Sequence, residues 1–266
     1  MIEKRQASSF YQHFDIKEKP IVDRYVGFFN RFLFQNEPIL TDFLNPREAY
    51  IFKEIVGGYG QIYEYGGYKE AEKKRLFLCD WTLPYHKSAF NVTLLKIEYN
   101  KKWDKITHSQ ILGVLTSLGV ESNTFGDIIS DEEGNWQFFV KSELADFFIE
   151  QINRIGHTKV KVKKIDLQHI LQIKDDSQEK EVTSTSMRID TIVSSVTNLS
   201  RSQVKEALMA SEIKLNWHDV SESHIIINIS DVLSIRHFGR IKILNVTTTR
   251  KGKFKIFCKI WQSKKR

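Results

Sequence analysis

Apolar positions recur along this chain with two periods, and the switches between them outline its elements. Over residues 21–34, Val22, Tyr25, Val26, Phe29 and Leu33 fall on one face at helical spacing, which predicts a helix. A second helix is expected to start at Asn45, a good capping residue, with Pro46 in its first turn and Glu48 completing a capping-box pattern. Gly57-Gly58 ends it. QIYEY then alternates as a strand does, Gly66-Gly67 marks a turn, and the charged stretch YKEAEKKR leads into an apolar strand, LFLCDW. Residues 1–82 are therefore expected to form a small α+β domain.

The order is clearest over residues 83–173. A strand at 90–99 precedes a helix at 107–118 that Gly119 stops. Strands at 125–130 and 136–140 flank a turn at Gly134-Asn135. A helix at 142–155 turns Leu144, Phe147, Phe148, Ile152 and Ile155 toward a core, and 159–165 alternates as a last strand. This is β-α-β-β-α-β, the split-βαβ or ferredoxin-like unit that RNA-recognition motifs share. NWQFFVKS lacks the basic-Gly-aromatic-Gly run of their RNP1 signature, so Trp136, Phe138 and Phe139 are expected to pack rather than to stack on bases. Residues 174–186 hold one large apolar residue, Val182, and read as a linker.

After it the periodicity is helical again. From Met187 a helix carries Ile189, Ile192, Val193 and Val196 on one face until Thr197-Asn198 breaks it. Ser200 and Gln203 form a second capping box, Val204, Ala207 and Leu208 follow as a buried stripe, and Arg201 and Lys205 share a face at i, i+4. Strands are expected next: a short one at 213–216, an apolar one at 224–229, and one over 234–246 carrying Arg236, Arg240 and Lys242. The last strand sets Phe254, Ile256, Cys258 and Ile260 on one face and Lys253, Lys255, Phe257 and Lys259 on the other. Lysines around an aromatic on an exposed strand face suit a phosphate backbone.

Charge sharpens this picture. The net charge of the 266 residues is +7. Residues 1–80 carry 12 basic and 12 acidic side chains, residues 81–182 carry 13 and 15, and residues 183–266 carry 15 and 6. The excess positive charge is thus concentrated in the last block, as expected of a module that binds a polyanion. A content of 41% hydrophobic and 27% charged residues excludes wholesale disorder. No run approaches the roughly 20 apolar residues of a membrane span, and the first residues lack a leader's apolar core, so a soluble cytoplasmic protein is expected. Cys79 and Cys258 have no CxxC or CxxH company and are expected to be buried in strands.

The order RID, LSRSQVKEAL, IKLN and ISDVLSIR resembles the S4 RNA-binding domain family. Arg188, Asp190, Ser200, Arg201, Val204, Leu208, Ile213, Leu215 and Asn216 stand where that family places like residues, and Asp231 to Arg236 resemble its later Asp-x-Ile-x-Val-Arg segment. Where the family tends to carry glycine, this chain has Ser211 and Ser230. Upstream, GGYKEAEKKR at 66–75 and the segments LGV at 118–120 and FGDI at 125–128 resemble stretches of the YlmH-like bacterial proteins, which also end in an S4 domain. That family usually has an Arg-Glu pair before its GDI; here Ser122-Asn123 stands instead. The resemblance spans nearly the whole chain. It implies a ribosome-associated RNA-binding protein connected with stalled large subunits carrying peptidyl-tRNA, and a gene placed among those of cell division.

The expected architecture is thus α+β: an N-terminal domain over 1–82, a ferredoxin-like domain over 83–173, a linker over 174–186 and an S4 domain over 187–266. Ser200 caps its helix so that amides and the positive dipole end face an anion. Arg201 can fork onto a phosphate, and Lys205 adds a charge one turn on. Arg188, Lys214, Asn216, Arg236, Arg240 and Lys253 complete the candidate RNA-binding set, with Asp190 as either a contact or an ion-pair brace. The expected partners are rRNA, tRNA and the ribosomal large subunit, bound by a monomer that needs no membrane, metal or cofactor. No catalytic residue is expected: the histidines lack metal spacing, and Gly57-Gly58-Tyr59-Gly60 follows a helix rather than a strand. Two further readings stand beside this one, an RNA-modifying enzyme targeted by its S4 domain and an adaptor for division proteins.

Overall fold

The computed structural model describes residues 4–262 apart from 36, 84, 174 and 176. The chain is α+β, in two compact units, Met1–Lys174 and Asp175–Arg266. No helix among the described residues is long and apolar enough to cross a membrane.

In the first unit the elements are α1 (Lys19–Gln35), β1 (Ile39–Leu44), α2 (Pro46–Val56), β2 (Gln61–Tyr65), β3 (Lys74–Cys79) and β4 (Val92–Glu98). They are followed by α3 (His108–Ser117), β5 (Phe125–Ser130), β6 (Trp136–Lys141), α4 (Ala145–Gln151), a two-strand hairpin of β7 (Arg154–Ile155) and β8 (Thr158–Lys159), and β9 (Lys161–Ile165). The capping box of α2 forms as its sequence requires: the Asn45 side chain accepts from the amides of Arg47 and Glu48, and Gly57 ends the helix at φ 55°. Helices α1 and α2 bury Val22, Tyr25, Phe29, Phe52 and Ile55 with Leu76 and Leu78 of a three-stranded sheet of order β1-β3-β2. Strand β1 has no counterpart in the sequence reading, because ILTDFL interrupts its apolar residues with polar ones on both faces.

The second sheet has order β5-β6-β4-β9, all antiparallel, with α3 and α4 as the crossovers of a split βαβ. One face packs Leu95, Ile97, Phe138 and Val140 under Phe148 of α4. The other face is closed too. Phe43, Leu94, Ile129 and Phe139 meet Tyr68, Leu167 and Ile170 there, and the Tyr68 ring stacks on Phe139 at 5.4 Å. Phe138 and Phe139 are fully buried, so neither offers a ring to a base.

The two sheets share one compact unit, across the boundary expected at 82/83, and a carboxylate helps to tie them. Asp127 on β5 accepts from the Tyr68 hydroxyl at 2.8 Å, the Glu72 amide at 2.7 Å and the Lys73 amide at 3.1 Å. Burial pushes its carboxyl above the ordinary range, against the pull of those donors. Gly67, at φ 104°, lies so close to Phe139 that a Cβ there would sit 2.2 Å from the ring. The GGY and GDI stretches are therefore the two halves of one lock. Arg75, buried in β3, adds a second tie by donating to the carbonyls of Thr41, Phe90 and Asn91 at 2.8–3.0 Å. Asp127→Ala leaves two amides and a hydroxyl unmatched and is expected to lower stability by about 3 kcal/mol in urea unfolding; a loss below about 1 kcal/mol would contradict the lock.

The second unit holds β10 (Gln178–Ser184), α5 (Ile189–Val196), α6 (Arg201–Met209), β11 (Ile213–Leu215), β12 (His218–Asp219), β13 (Val232–Ile235), β14 (Gly239–Thr248) and β15 (Phe254–Gln262). One six-stranded antiparallel sheet, β10-β15-β14-β13-β11-β12, packs Ile241, Ile243, Ile256 and Cys258 against Ile189, Val193, Val204 and Leu208 of the helices. Both cysteines are buried and free.

Three expectations need correction here. The linker read at 174–186 contains β10, which pairs with β15 from Gln178↔Ile260 to Ser184↔Phe254. Its residues are mostly polar because it is an edge strand burying only Val182 and Ser184, and main-chain bonds hold it. The apolar segment 224–229 is no strand: Ile226 and Ile229 are exposed, and it straps the start of α5 through Ile189 N–H to the Ile225 carbonyl and Ile227 N–H to that of Met187. The strand read over 234–246 is two strands, β13 and β14, separated by a turn with His237 at φ 64°.

Ser211 and Ser230, the two serines at glycine positions, have φ 54° and 74°. A Cβ is strained there by roughly 1–2 kcal/mol, which glycine's extra unfolded-state freedom offsets in part. Ser211→Gly and Ser230→Gly are each expected to stabilise the protein by about 0.5–1 kcal/mol in thermal melts; a lowered Tm would refute this.

Candidate nucleic-acid interface

The interface grows from the first turn of α5. Ile189 and Ile192 commit that helix to the core, and the same register carries Asp190 inward, where its side chain is 0% exposed. A lone buried carboxylate is costly. Here Arg188 Nε and Nη2 donate to it at 3.1 and 3.2 Å, the Thr191 hydroxyl at 3.2 Å, and Arg201 Nη2 at 2.6 Å. Burial alone would raise the Asp190 carboxyl; the two guanidiniums outweigh it and hold the group at about 2.

The turn between the helices is tied down by side chains. Thr197 Oγ1 donates to the Val193 carbonyl at 2.7 Å and Ser194 Oγ to that of Leu199 at 2.9 Å. Lys180 Nζ reaches the Val196 carbonyl at 3.2 Å, a cation at the negative end of α5. At the start of α6 the Ser200 hydroxyl accepts from the Gln203 amide, while Gln203 accepts from the Ser200 amide. Arg201 keeps 55% of its side chain exposed although one nitrogen is spent on Asp190. Lys205, one turn on, is exposed and has no ion-pair partner among the described residues.

Arg188, Ser200, Arg201 and Lys205 therefore meet at one end of the helix pair, and the remaining candidates do not join them. Asn216 is consumed internally: its Nδ2 donates to Asp231 at 2.7 Å and its Oδ1 accepts from the Val232 amide at 2.8 Å, which holds the tight turn it occupies at φ 49°. It serves this fold as a turn former. Arg236 pairs with Glu212 at 3.4 Å, beyond the opposite end of α6. Lys214 pairs with Asp219 at 3.1 Å, and Arg240 lies over the Trp217 ring, both on the sheet. Lys253 is exposed beside the β14–β15 turn. The contact between Asp190 and Arg201 spans eleven positions and two helices, and no local pattern announces it.

Because the Asp190 carboxyl titrates lower folded than its ordinary unfolded value near 4, its stabilisation is complete above about pH 4 and is lost as pH falls toward about 2. Urea unfolding across that window is expected to show a wild-type loss on the order of 2 kcal/mol that Asp190→Asn lacks. An equal loss in both proteins would show that other groups carry it.

The family model described as "Putative RNA-binding domain in YlmH" matches residues 85–169, the segment that forms β4 to β9. A Bacillus subtilis protein named ribosome-associated protein quality control protein P2 is 31% identical over 252 residues, covering 94% of this chain and 97% of that protein. The solved structure of the cell division protein ylmH from Streptococcus pneumoniae superposes with a TM-score of 0.52 at 28% identity, over 62% of this chain and 99% of that one. With a relative of that identity aligned over almost its full length, and the GGY and GDI stretches forming one lock in the fold, this chain belongs to the YlmH family.

Proposed function

We propose that this chain is a non-enzymatic RNA-binding protein that docks on structured rRNA, and on tRNA, of the ribosomal large subunit through its Asp175–Arg266 unit, an S4 domain, and serves in quality control of stalled translation. One observation carries the reading: a buried carboxylate aims two arginines at the capped start of α6 and leaves Arg201 half exposed. A guanidinium already oriented by one carboxylate loses less freedom when it meets a phosphate. The amides of the first turn and Lys205 add to the same positive end. Structured RNA is read mostly through phosphates and ribose hydroxyls, which suits this set. The name of the Bacillus subtilis relative supports the ribosomal setting.

The test must spare the fold. Arg201→Glu would set a second carboxylate against Asp190 and Arg201→Gln would leave it with one arginine, so Lys205→Glu is the variant that spares the fold and Arg201→Gln is read beside its own Tm. Each is expected to weaken co-sedimentation with purified large subunits, Lys205→Glu with melting unchanged and the slope of log affinity against log salt flattened by about one, Arg201→Gln with a lowered Tm. Undiminished co-sedimentation of the double variant would refute the site. A modified nucleotide missing from the rRNA or tRNA of a deletion strain would refute the non-enzymatic role.

A further inference from the structure

On the face of the six-stranded sheet turned away from α5 and α6, β14 and β15 set out cations and rings, with Glu179 and Glu181 of β10 at their edge. Alternation along β15 sends Ile256, Cys258 and Ile260 into the core and Lys255, Phe257, Lys259 and Trp261 outward. Strand register decides what stands beside them: Lys242 of β14 is directly opposite Lys259, and Arg240 is directly opposite Trp261. Two lysines facing across neighbouring strands repel, which weakens a sheet. Lys259 is matched by Asp175 and has Glu179 of β10 directly opposite on its other side, whereas Lys242 has no ion-pair partner among the described residues. One step along the same face, about 7 Å away, the Arg240 guanidinium lies 5.8 Å from the centre of the Trp217 ring. Asn216 and Trp217 form the tight turn, at φ 49° and 65°, that brings this ring over Arg240. The Lys259 ammonium lies 5.4 Å from the Trp261 ring.

The face thus has one row of π surface with a cation in it, Trp217, Arg240 and Trp261. Beside that row stands a pair of like charges, Lys242 and Lys259. Lysine is disfavoured in the buried centre of protein interfaces, so a protein partner fits this face poorly. A phosphate between the lysines would turn their repulsion into attraction. An unpaired base has the flat face that a half-buried indole beside a cation, such as Trp261, accepts on its open side, whatever the base's identity. We infer that this face is a second RNA site, which binds unpaired nucleotides by holding a phosphate between Lys242 and Lys259 and stacking a base on Trp261. The inference rests on the RNA-binding reading above and adds a ligand class to it, on the side of the sheet away from the helix pair that carries Arg201.

Fluorescence anisotropy of the full chain with two probes, a short oligouridine and a stable RNA hairpin, tests it. Trp261→Ala and Lys242→Gln are each expected to weaken oligouridine binding about tenfold and to leave the hairpin unaffected, whereas Lys205→Glu does the converse. Lys242→Gln is further expected to keep or raise the Tm while affinity falls, which a loss of folding cannot mimic. Oligouridine binding that ignores both substitutions would overturn the inference, as would polyglutamate competing as well as oligouridine. A hairpin bound without oligouridine overturns this inference alone. A wild-type chain that binds neither overturns the RNA-binding reading beneath it.

Discussion

A carboxylate with no exposed surface sits between two arginines in the Asp175–Arg266 unit, and the arrangement of its helix pair follows from that charge. Asp190 cannot remain buried and ionised unless cations come to it. Arg188 comes from the residue that precedes α5, Arg201 from the first turn of α6, and both must keep their place for the carboxylate to be matched. The constraint therefore fixes the turn between the helices as firmly as the apolar contacts beneath it. It also lets two guanidiniums stand close together, since the carboxylate screens their repulsion, while the set of three keeps one net positive charge. The brace and the proposed binding surface are thus one device: the contact that stabilises the turn is the one that orients Arg201.

The first unit uses the same chemistry for a different end. Asp127 is half-buried, hydroxyl and amide donors meet it instead of cations, and its carboxyl is raised rather than lowered. It draws the loop after β2 onto the second sheet and lays Tyr68 on Phe139. That contact closes the sheet face that an RNA-recognition motif leaves open. The missing RNP1 signature then has a physical reason, because residues on that face answer to an interior. An RNA contact made by residues 85–169 has to come from their edges and loops, outside the closed face.

Local order was legible wherever a residue's job depends on near neighbours. The capping boxes at Asn45 and Ser200, the glycine stop at Gly57 and the alternation of β15 were all readable, because each is settled within a few positions. What escaped depends on distant partners. Strand β10 looks like a linker until β15 lies beside it, and the segment 224–229 looks like a strand until α5 takes its backbone. The site divides the same way. Ser200, Arg201 and Lys205 were readable as one helix start, while the bond from Arg201 to Asp190 and the internal use of Asn216 needed the fold.

Charge shows how a misplaced boundary distorts function. Counted from residue 183, the last block has 15 basic and 6 acidic side chains, but the compact unit begins at Asp175 and so has 16 and 10. The added acids are not idle: Asp175 meets Lys259, and Glu181 meets Lys255 at 2.9 Å. Net charge alone therefore overstates the pull of this unit on a polyanion. Exposed pairs of this kind contribute only about 0–1 kcal/mol each, so a phosphate can displace the carboxylate from its lysine at little cost. The buried Asp190 cannot be displaced in that way, and it leaves Arg201 only its outward donors. Lys255 and Lys259 thus sit on exposed carboxylates that a polyanion can replace, whereas Arg188 and Arg201 are held on a buried one that it cannot. On the proposed function, the arginines set where RNA docks and the lysines set how strongly salt opposes it.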